Sequence, residues 1–277
     1  MISIIMPAHN EADYIADCLS AVLASDPGDY SAEVIVVANN CKDDTVRNAQ
    51  GFTDQARARG WDFEVIDTPE PGKLNALNLG DAQAKGDMRA YLDADVIVSP
   101  GLLGQIVAVL ATQEPRYTSG TPVVSPASSG VTRAFARIWQ RLPFVTIGVP
   151  GFGLFAVNTA GRARWGAFPE DIISDDTFVR LSFAPSERVR VSATYSWPMV
   201  EGLNNLVRVR RRQDAGVDEI KATFPGLMRN DDTPRLGRGQ MAKLALRDPY
   251  GFAVYALVKL LVKSPYARSA DKWARGR

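Results

Sequence analysis

Cysteine is scarce: Cys18 and Cys41 are the only two among 277 residues. Their spacing fits no zinc or redox motif. Cys18 falls in an apolar helical pattern and is expected in the core. Two such thiols argue against a disulfide and for a reducing, cytoplasmic compartment. Net charge is equally small, with 32 Lys and Arg against 31 Asp and Glu. That balance argues against nucleic acid as a partner. No stretch reaches the roughly 18 apolar residues that a membrane-spanning helix needs. The opening, MISIIMPAHNE, has no basic start and no long apolar core, so it reads as a buried strand and not as a signal peptide. Internal repeats and low-complexity tracts are missing too. So is a Gly-x-Gly-x-x-Gly turn after a strand, which disfavours hydride transfer on a dinucleotide.

What the chain has in quantity is alternation. Apolar residues make up 46%, enough for one large α/β domain or two small ones. Residues 2–6, 33–38, 63–67 and 89–92 are short apolar runs of strand character. Between them, residues 45–58 and 72–84 read as helices. Another helix is expected after Asn10, which is placed to cap it, with Asp13 in its first turn. Buried strands alternating with helices imply an α/β fold, a Rossmann-like and mostly parallel twisted sheet flanked by helices. Beyond residue 100, helices are expected over 100–110, 131–142 and 175–183. Strands are expected over 154–157 and 189–195, with a strand and loop in 115–130.

Ligands of open α/β sheets sit beyond the carboxyl ends of the strands. The polar groups there are His9, Asn10 and Glu11 after Pro7, Asn39 and Asn40 after the second strand, and Asp93 and Asp95 after the fourth. Two carboxylates one residue apart at a strand end can reach a hard divalent cation that also holds phosphate oxygens. Paired aspartates are also common in turns that bind nothing. Lys73 can set a cation near phosphate beside a helix start, or it can be a solvated helix-start lysine. The alternative for Asn78 is a helix-surface amide.

Four segments, IIMPAHNEADYI, EVIVVANNCKDDT, GKLNALNLG and YLDADV, together resemble family 2 glycosyltransferases, in that family's order and spacing. The resemblance implies an A-type glycosyltransferase fold and an enzyme moving a sugar, with inversion, from a nucleotide-diphosphate sugar to the hydroxyl of a glycan or lipid-linked acceptor. It implies a divalent cation, Mn2+ or Mg2+, on Asp93 and Asp95. Pro7, His9, Asn10, Glu11, Asn39, Lys73, Asn78 and Asp93 would bind the donor. Where many relatives carry an aspartate after the second strand, this chain has Asn39 and Asn40, and its first acids are Asp43 and Asp44. The segment GFGLFAVNTAGRARWGAFPEDIISDD resembles the family's acceptor strand and the acidic pair beyond it. Asp176 is then the expected base, with Asp175 as its electrostatic partner. Both would equally suit the first turn of a helix. Glu170 and Asp171, in a turn after Pro169, are not the expected pair.

The run RVRRRQ at 208–213 reads by itself as a solvated face; the resemblance implies an arginine segment beyond the base that closes over the donor diphosphate, and so makes Arg210, Arg211 and Arg212 candidate clamps. The family's fuller Gln-x-x-Arg-Trp pattern is absent, which argues against a processive polymer synthase. The expected organisation is a catalytic domain over 1–240, its 1–98 half binding the nucleotide sugar and its 99–240 half the acceptor. An amphipathic, basic tail over 241–277 follows. Residues 249–263, followed by Arg268, Lys272, Arg275 and Arg277, can lie on the inner membrane face or pack as a helix on the core. Two other classes compete. A nucleotidyltransferase would favour a Gly- and Arg-rich loop after the first strand, which PAHNEADYI is not. A non-catalytic nucleotide-sugar-binding protein of the same fold would be indifferent to loss of Asp176.

Overall fold

Ile2, Ile4 and Ile5 are β-branched and apolar to both sides, which suits a strand covered on both faces. In the computed structural model, which describes residues 1–234 and 236–265, they lie in β1 (Ile2–Ala8), buried throughout. Next comes α1 (Ile15–Ala24), whose Ile15, Cys18, Leu19, Val22 and Leu23 face the core. Asn10 does not cap this helix. Tyr14 holds the cap position, and Asn10 takes a left-handed backbone, φ 54°, which asparagine tolerates. Its Oδ1 accepts the Lys42 N–H at 2.5 Å.

The second strand, β2 (Ala32–Asn39), is again wholly buried. The helix expected over 45–58 is two short ones, α2 (Thr45–Gln50) and α3 (Thr53–Ala58). Gly51, a weak helix former, interrupts them and lets Phe52 turn onto the core. Strand β3 (Asp62–Thr68) alternates exposed and half-buried residues, as an edge strand does. Then follow α4 (Lys73–Gln83), β4 (Met88–Leu92), the two-residue β5 (Ile97–Val98) and α5 (Leu102–Leu110). The rest comprises β6 (Tyr117–Val124), α6 (Gly130–Trp139), α7 (Pro143–Thr146), β7 (Leu154–Asn158), α8 (Thr159–Arg162), α9 (Asp175–Leu181), β8 (Arg188–Trp197), α10 (Leu203–Thr223), α11 (Arg238–Arg247) and α12 (Pro249–Lys263).

The eight strands run in the order β3-β2-β1-β4-β7-β6-β8-β5. The four at the β3 end are mutually parallel. Strand β7 is antiparallel to both β4 and β6, so the α/β sheet is mixed, with its parallel half first in sequence. The parallel register brings the carboxyl ends of β1, β2 and β4 to one edge.

The chain forms two compact units. The first is Met1–Pro122, Val149–Asp171 and Asp175–Trp197; the second is Val123–Gly148, Ile172–Ser174 and the described part of Pro198–Arg277. Within the second, α12 packs its Gly251, Val254, Val258 and Val262 inward, against α6 and α10. Arg137 of α6 forks onto Asp248 at 2.6 and 3.1 Å, and Asp248 in turn accepts the Gly251 N–H at the start of α12. That guanidinium and that N–H hold the Asp248 carboxyl at about 2. Among the described residues no helix is long and apolar enough to cross a membrane. Arg268, Lys272, Arg275 and Arg277 lie outside the described residues.

Candidate active site

Strand β4 stops at Leu92, and the chain turns at once. The Asp93 N–H donates to the Gly153 carbonyl at 2.9 Å, and the Val96 N–H donates back to the Asp93 carbonyl at 3.1 Å. A glycine-rich loop, 148–153, is thereby sewn to the Asp93–Asp95 turn. Glycine is required there. At Gly153, φ is +74° and a Cβ would sit 2.7 Å from Trp197 and 3.0 Å from Val96. At Gly151, φ is +75° and a Cβ would meet the Tyr117 hydroxyl oxygen far inside contact distance. Gly28, by contrast, has φ +70° but open space around it. Gly151→Ala is therefore expected to lose about 2–4 kcal/mol of stability, against about 1 kcal/mol for Gly28→Ala. Urea denaturation of the two variants checks this ordering.

The first residue of α4 is Lys73. Its Nζ lies 2.9 Å from Asp93 Oδ1 and 3.1 Å from Asp175 Oδ2. One ammonium thus gathers the end of β4 and the start of α9. Lys73 and Asp93 are each about one-third exposed, whereas the Asp175 side chain is 8% exposed. Burial alone would lower the Lys73 ammonium, but the charges of Asp175 and Asp93 outweigh it and hold the group well above its ordinary value. Asp176 is pushed the other way for a carboxyl. Burial and then the adjacent Asp175 charge raise it to about 6, against the pull of Lys73 and of the Thr177 N–H. That N–H donates to Asp176 Oδ1 at 2.6 Å. Tyr117 lies in the field of Asp176, and burial followed by that charge lifts its hydroxyl far above the ordinary phenol range.

The sequence-predicted residues divide into those gathered here and those used otherwise. Asp93, Lys73, Asp175 and Asp176 converge, and half-buried Asp95 stands on the same turn as Asp93. Pro7 is buried in β1 opposite Val37. His9, Asn10 and Glu11 line the end of β1. His9 Nδ1 is 2.5 Å from the Asn39 carbonyl, and the Glu11 N–H donates to Thr45 Oγ1 at 2.7 Å.

Asn39 is turned inward. It is 3% exposed, its Nδ2 donates to the Ala8 carbonyl, and its Oδ1 accepts the Gly72 N–H. Its amide ties the end of β1 to the start of α4. Asn78 is likewise bonded to backbone: Nδ2 donates to the Phe168 carbonyl at 3.1 Å and Oδ1 accepts the Phe168 N–H at 2.7 Å. The arginine run lies on α10, in the second unit. Arg211 donates to the Leu261, Val262 and Ser264 carbonyls at the end of α12. Its guanidinium caps that helix end. Arg210 binds Gln213 and Asp214 on its own helix, and Arg212 is half-buried beside it. Glu170 and Asp171 stand in an exposed turn.

Sequence reasoning missed Tyr117 and the bridging role of Lys73. The only signal for the first was the GFG motif, whose compactness demands a tightly packed neighbour. Among the described residues no group of three or more His, Cys, Asp or Glu side chains is assembled to hold a metal alone.

The chain is similar to known proteins in sequence and in fold. The chain is 33% identical over 196 residues to the probable glycosyltransferase YdaM of Bacillus subtilis, covering 64% of this chain and 44% of that protein. Glycosyltransferase AglE of Haloferax volcanii is 34% identical over 96 residues, 34% of this chain and 30% of that one. The chain thus spans less than half the length of these curated relatives. Among solved structures, the mannosyltransferase PcManGT of Pyrobaculum calidifontis, in complex with GDP-Man and Mn2+, superposes with a TM-score of 0.61 at 20% identity, over 93% of this chain and 73% of that one. S. aureus TarS 1-349 in complex with UDP gives 0.55 at 15% identity, over 94% and 90%. At such identities the two structures testify to a common fold. The family model described as glycosyl transferase family 2 matches residues 3–163. With more than half of its length under that model, this chain belongs to glycosyl transferase family 2.

Proposed function

We propose that the chain moves a sugar, with inversion, from a nucleotide-diphosphate sugar to a hydroxyl of a glycan or lipid-linked acceptor. The observation that carries this reading is the position of Lys73 Nζ, within 3.1 Å of both Asp93 and Asp175. It draws the strand-end carboxylate of the donor side and the acidic pair of the acceptor side onto one cation. The complexes of PcManGT with GDP-Man and Mn2+ and of TarS with UDP support a nucleotide donor.

In this reading the acceptor oxygen attacks the anomeric carbon and Asp176 takes its proton. The bond from that carbon to the diphosphate oxygen breaks, and the nucleotide diphosphate leaves with the electron pair. A base works best with a proton affinity near the working pH. Burial and the Asp175 charge provide this for Asp176. Asp175 faces the Lys73 ammonium at 3.1 Å, so its role is electrostatic. Pro7, His9, Asn10 and Glu11 meet the nucleoside at the end of β1. The donor side falls within residues 1–98 and the acceptor side within 99–240. Two free thiols, Cys18 and Cys41, accord with a reducing, cytoplasmic setting.

The residues present fit a divalent cation, manganese or magnesium, in a specific way. Asp93 and Asp95 offer carboxylate oxygens, the hard ligands such ions prefer, but among the described residues no third carboxylate joins them in a metal-holding group. Asp93 is moreover shared with Lys73. Phosphate oxygens and water must complete the shell. Such an ion, held by Asp93 and Asp95, would supply positive charge against that developing on the leaving diphosphate.

Metal binding is therefore expected to depend on the nucleotide. Mn2+ alone should leave the melting temperature nearly unchanged, whereas Mn2+ with the right nucleoside diphosphate should raise it by roughly 5–10 °C. A thermal-shift matrix of nucleoside diphosphates with and without Mn2+ or Mg2+ tests the reading. No metal-dependent stabilisation by any of them would overturn it.

A further inference from the structure

Two helices at the end of the described chain have more apolar surface than the protein covers. Not one residue of α11 is buried, and only Leu244 and Ala245 are even half-covered. A ten-residue helix gains too little from its own hydrogen bonds to persist on propensity alone. It packs on α12 and leaves Met241 40% and Leu246 83% exposed.

Helix α12 has two apolar faces. Gly251, Val254, Val258 and Val262 form the inward one. Tyr250, Ala253, Leu257 and Leu260, spaced three, four and three residues apart, form a second stripe facing solvent. In that stripe Tyr250 is 62% exposed, Leu257 45% and Leu260 67%. Of the eleven large hydrophobic side chains exposed among the described residues, five lie between Met241 and Leu260. The other six are scattered singly, which is normal for a protein surface. This cluster is not.

Charge decides what covers it. Arg238, Lys243, Arg247, Lys259 and Lys263 occupy the same two helices, and Asp248 is the only acid between residues 238 and 263. That acid is already engaged by Arg137 and by the start of α12. Lys259 pairs with Asp214, whereas Lys243, Arg247 and Lys263 are exposed at the margins of the apolar stripe. A second copy of the chain would bring the same cations against these and be repelled. An anionic surface with an apolar interior satisfies both parts. Long cationic side chains reach headgroups while the leucines enter the acyl boundary. The fifteen residues of α12 extend about 22 Å, short of the roughly 30 Å hydrocarbon core. Docked on a bilayer, a helix of that length would lie in the membrane plane.

We infer that α11 and α12 form an interfacial docking face for a bilayer containing anionic lipid, with Met241, Leu246, Tyr250, Leu257 and Leu260 as its apolar contact. The sequence beyond Lys263 continues the composition, with Trp273 and four more basic residues against one acid, Asp271.

The experiment is vesicle co-sedimentation of the full chain, with phosphatidylcholine vesicles compared with vesicles that also contain phosphatidylglycerol. Binding is expected to the anionic vesicles and to fall at high salt. Leu257→Glu with Leu260→Glu should weaken partitioning by about tenfold or more, and so should Lys243→Glu with Arg247→Glu. These side chains are exposed, so circular dichroism melting should match wild type. No binding to anionic vesicles, or binding indifferent to both double variants, overturns the inference. So does self-association in ultracentrifugation that the leucine double variant abolishes, because the stripe would then belong to a second copy. Nucleotide-dependent stabilisation, measured on the same variants, should stay unchanged, so that failure here leaves the enzymatic reading standing.

Discussion

Asp176→Asn should lower turnover by about a thousandfold, the usual contribution of a positioned general base, while donor affinity stays within about twofold. The amide matches the carboxyl in shape and can still accept the Thr177 N–H that now reaches Asp176 Oδ1. It cannot take a proton from the acceptor hydroxyl. Loss of kcat without loss of nucleotide stabilisation separates an enzyme from a binding protein of the same fold. Equal activity in the variant would sink Asp176 as the base.

The pH profile gives an independent check with a definite sign. Burial and the neighbouring Asp175 charge bring the Asp176 carboxyl to about 6, up from 3.8. A base must be deprotonated, so kcat/KM should hold above that value and fall about tenfold per pH unit below it. An acidic limb near 4 instead would mean that the pair is ordinary and solvated. The same shift has a stability consequence. A carboxyl whose folded pKa exceeds its unfolded value favours the folded state at low pH, and that contribution is lost as pH rises from about 4 through 6.

The second large effect is expected at Lys73. Methionine there keeps most of the stem but removes the charge that faces Asp93 and Asp175. Asp175 is then a buried carboxylate without a cation, beside a second acid. Breaking a buried pair costs about 3–5 kcal/mol. Lys73 and Asp93 are about one-third exposed, so water screens part of this and about 2 kcal/mol is the reasonable expectation. Chemical denaturation measures it. Two further results distinguish this cluster from an ordinary ion pair. The acidic limb of the pH profile should move up, because Lys73 pulls the Asp176 proton affinity down. Mn2+ alone should now stabilise the variant, because Asp93 is released for it. If Lys73→Met matched wild type in stability, pH profile and metal response, the bridge would have no function.

Part of this cluster was legible beforehand, and what was not legible has one cause. Asp93 was chosen from its place at a strand end, Lys73 from a helix start and the family resemblance, and Asp175 and Asp176 from the resemblance; the fold brings the four together. Asn39, chosen at a strand end, and Asn78, chosen through the resemblance, are bonded to nearby backbone. An amide has a donor and an acceptor, and whatever backbone arrives first can satisfy both. For Asn39 these were the ends of β1 and α4; for Asn78 it was Phe168, ninety positions away. Arg211 is taken up similarly, because the carbonyls at a helix end attract a guanidinium just as phosphate oxygens do.

The amino-acid order alone determined the alternation of buried strands and helices, the parallel start of the sheet and the carboxylates at its strand ends. These follow from apolar periodicity, a property that a few neighbouring residues share and that burial rewards wherever the segment lies. Only the tertiary structure decided that Asp93 and Asp175 meet on one ammonium, that Gly151 must admit the Tyr117 ring, and that the asparagines are spent inside. A polar side chain acquires its role from the partner that reaches it, and that partner comes from a distant part of the chain.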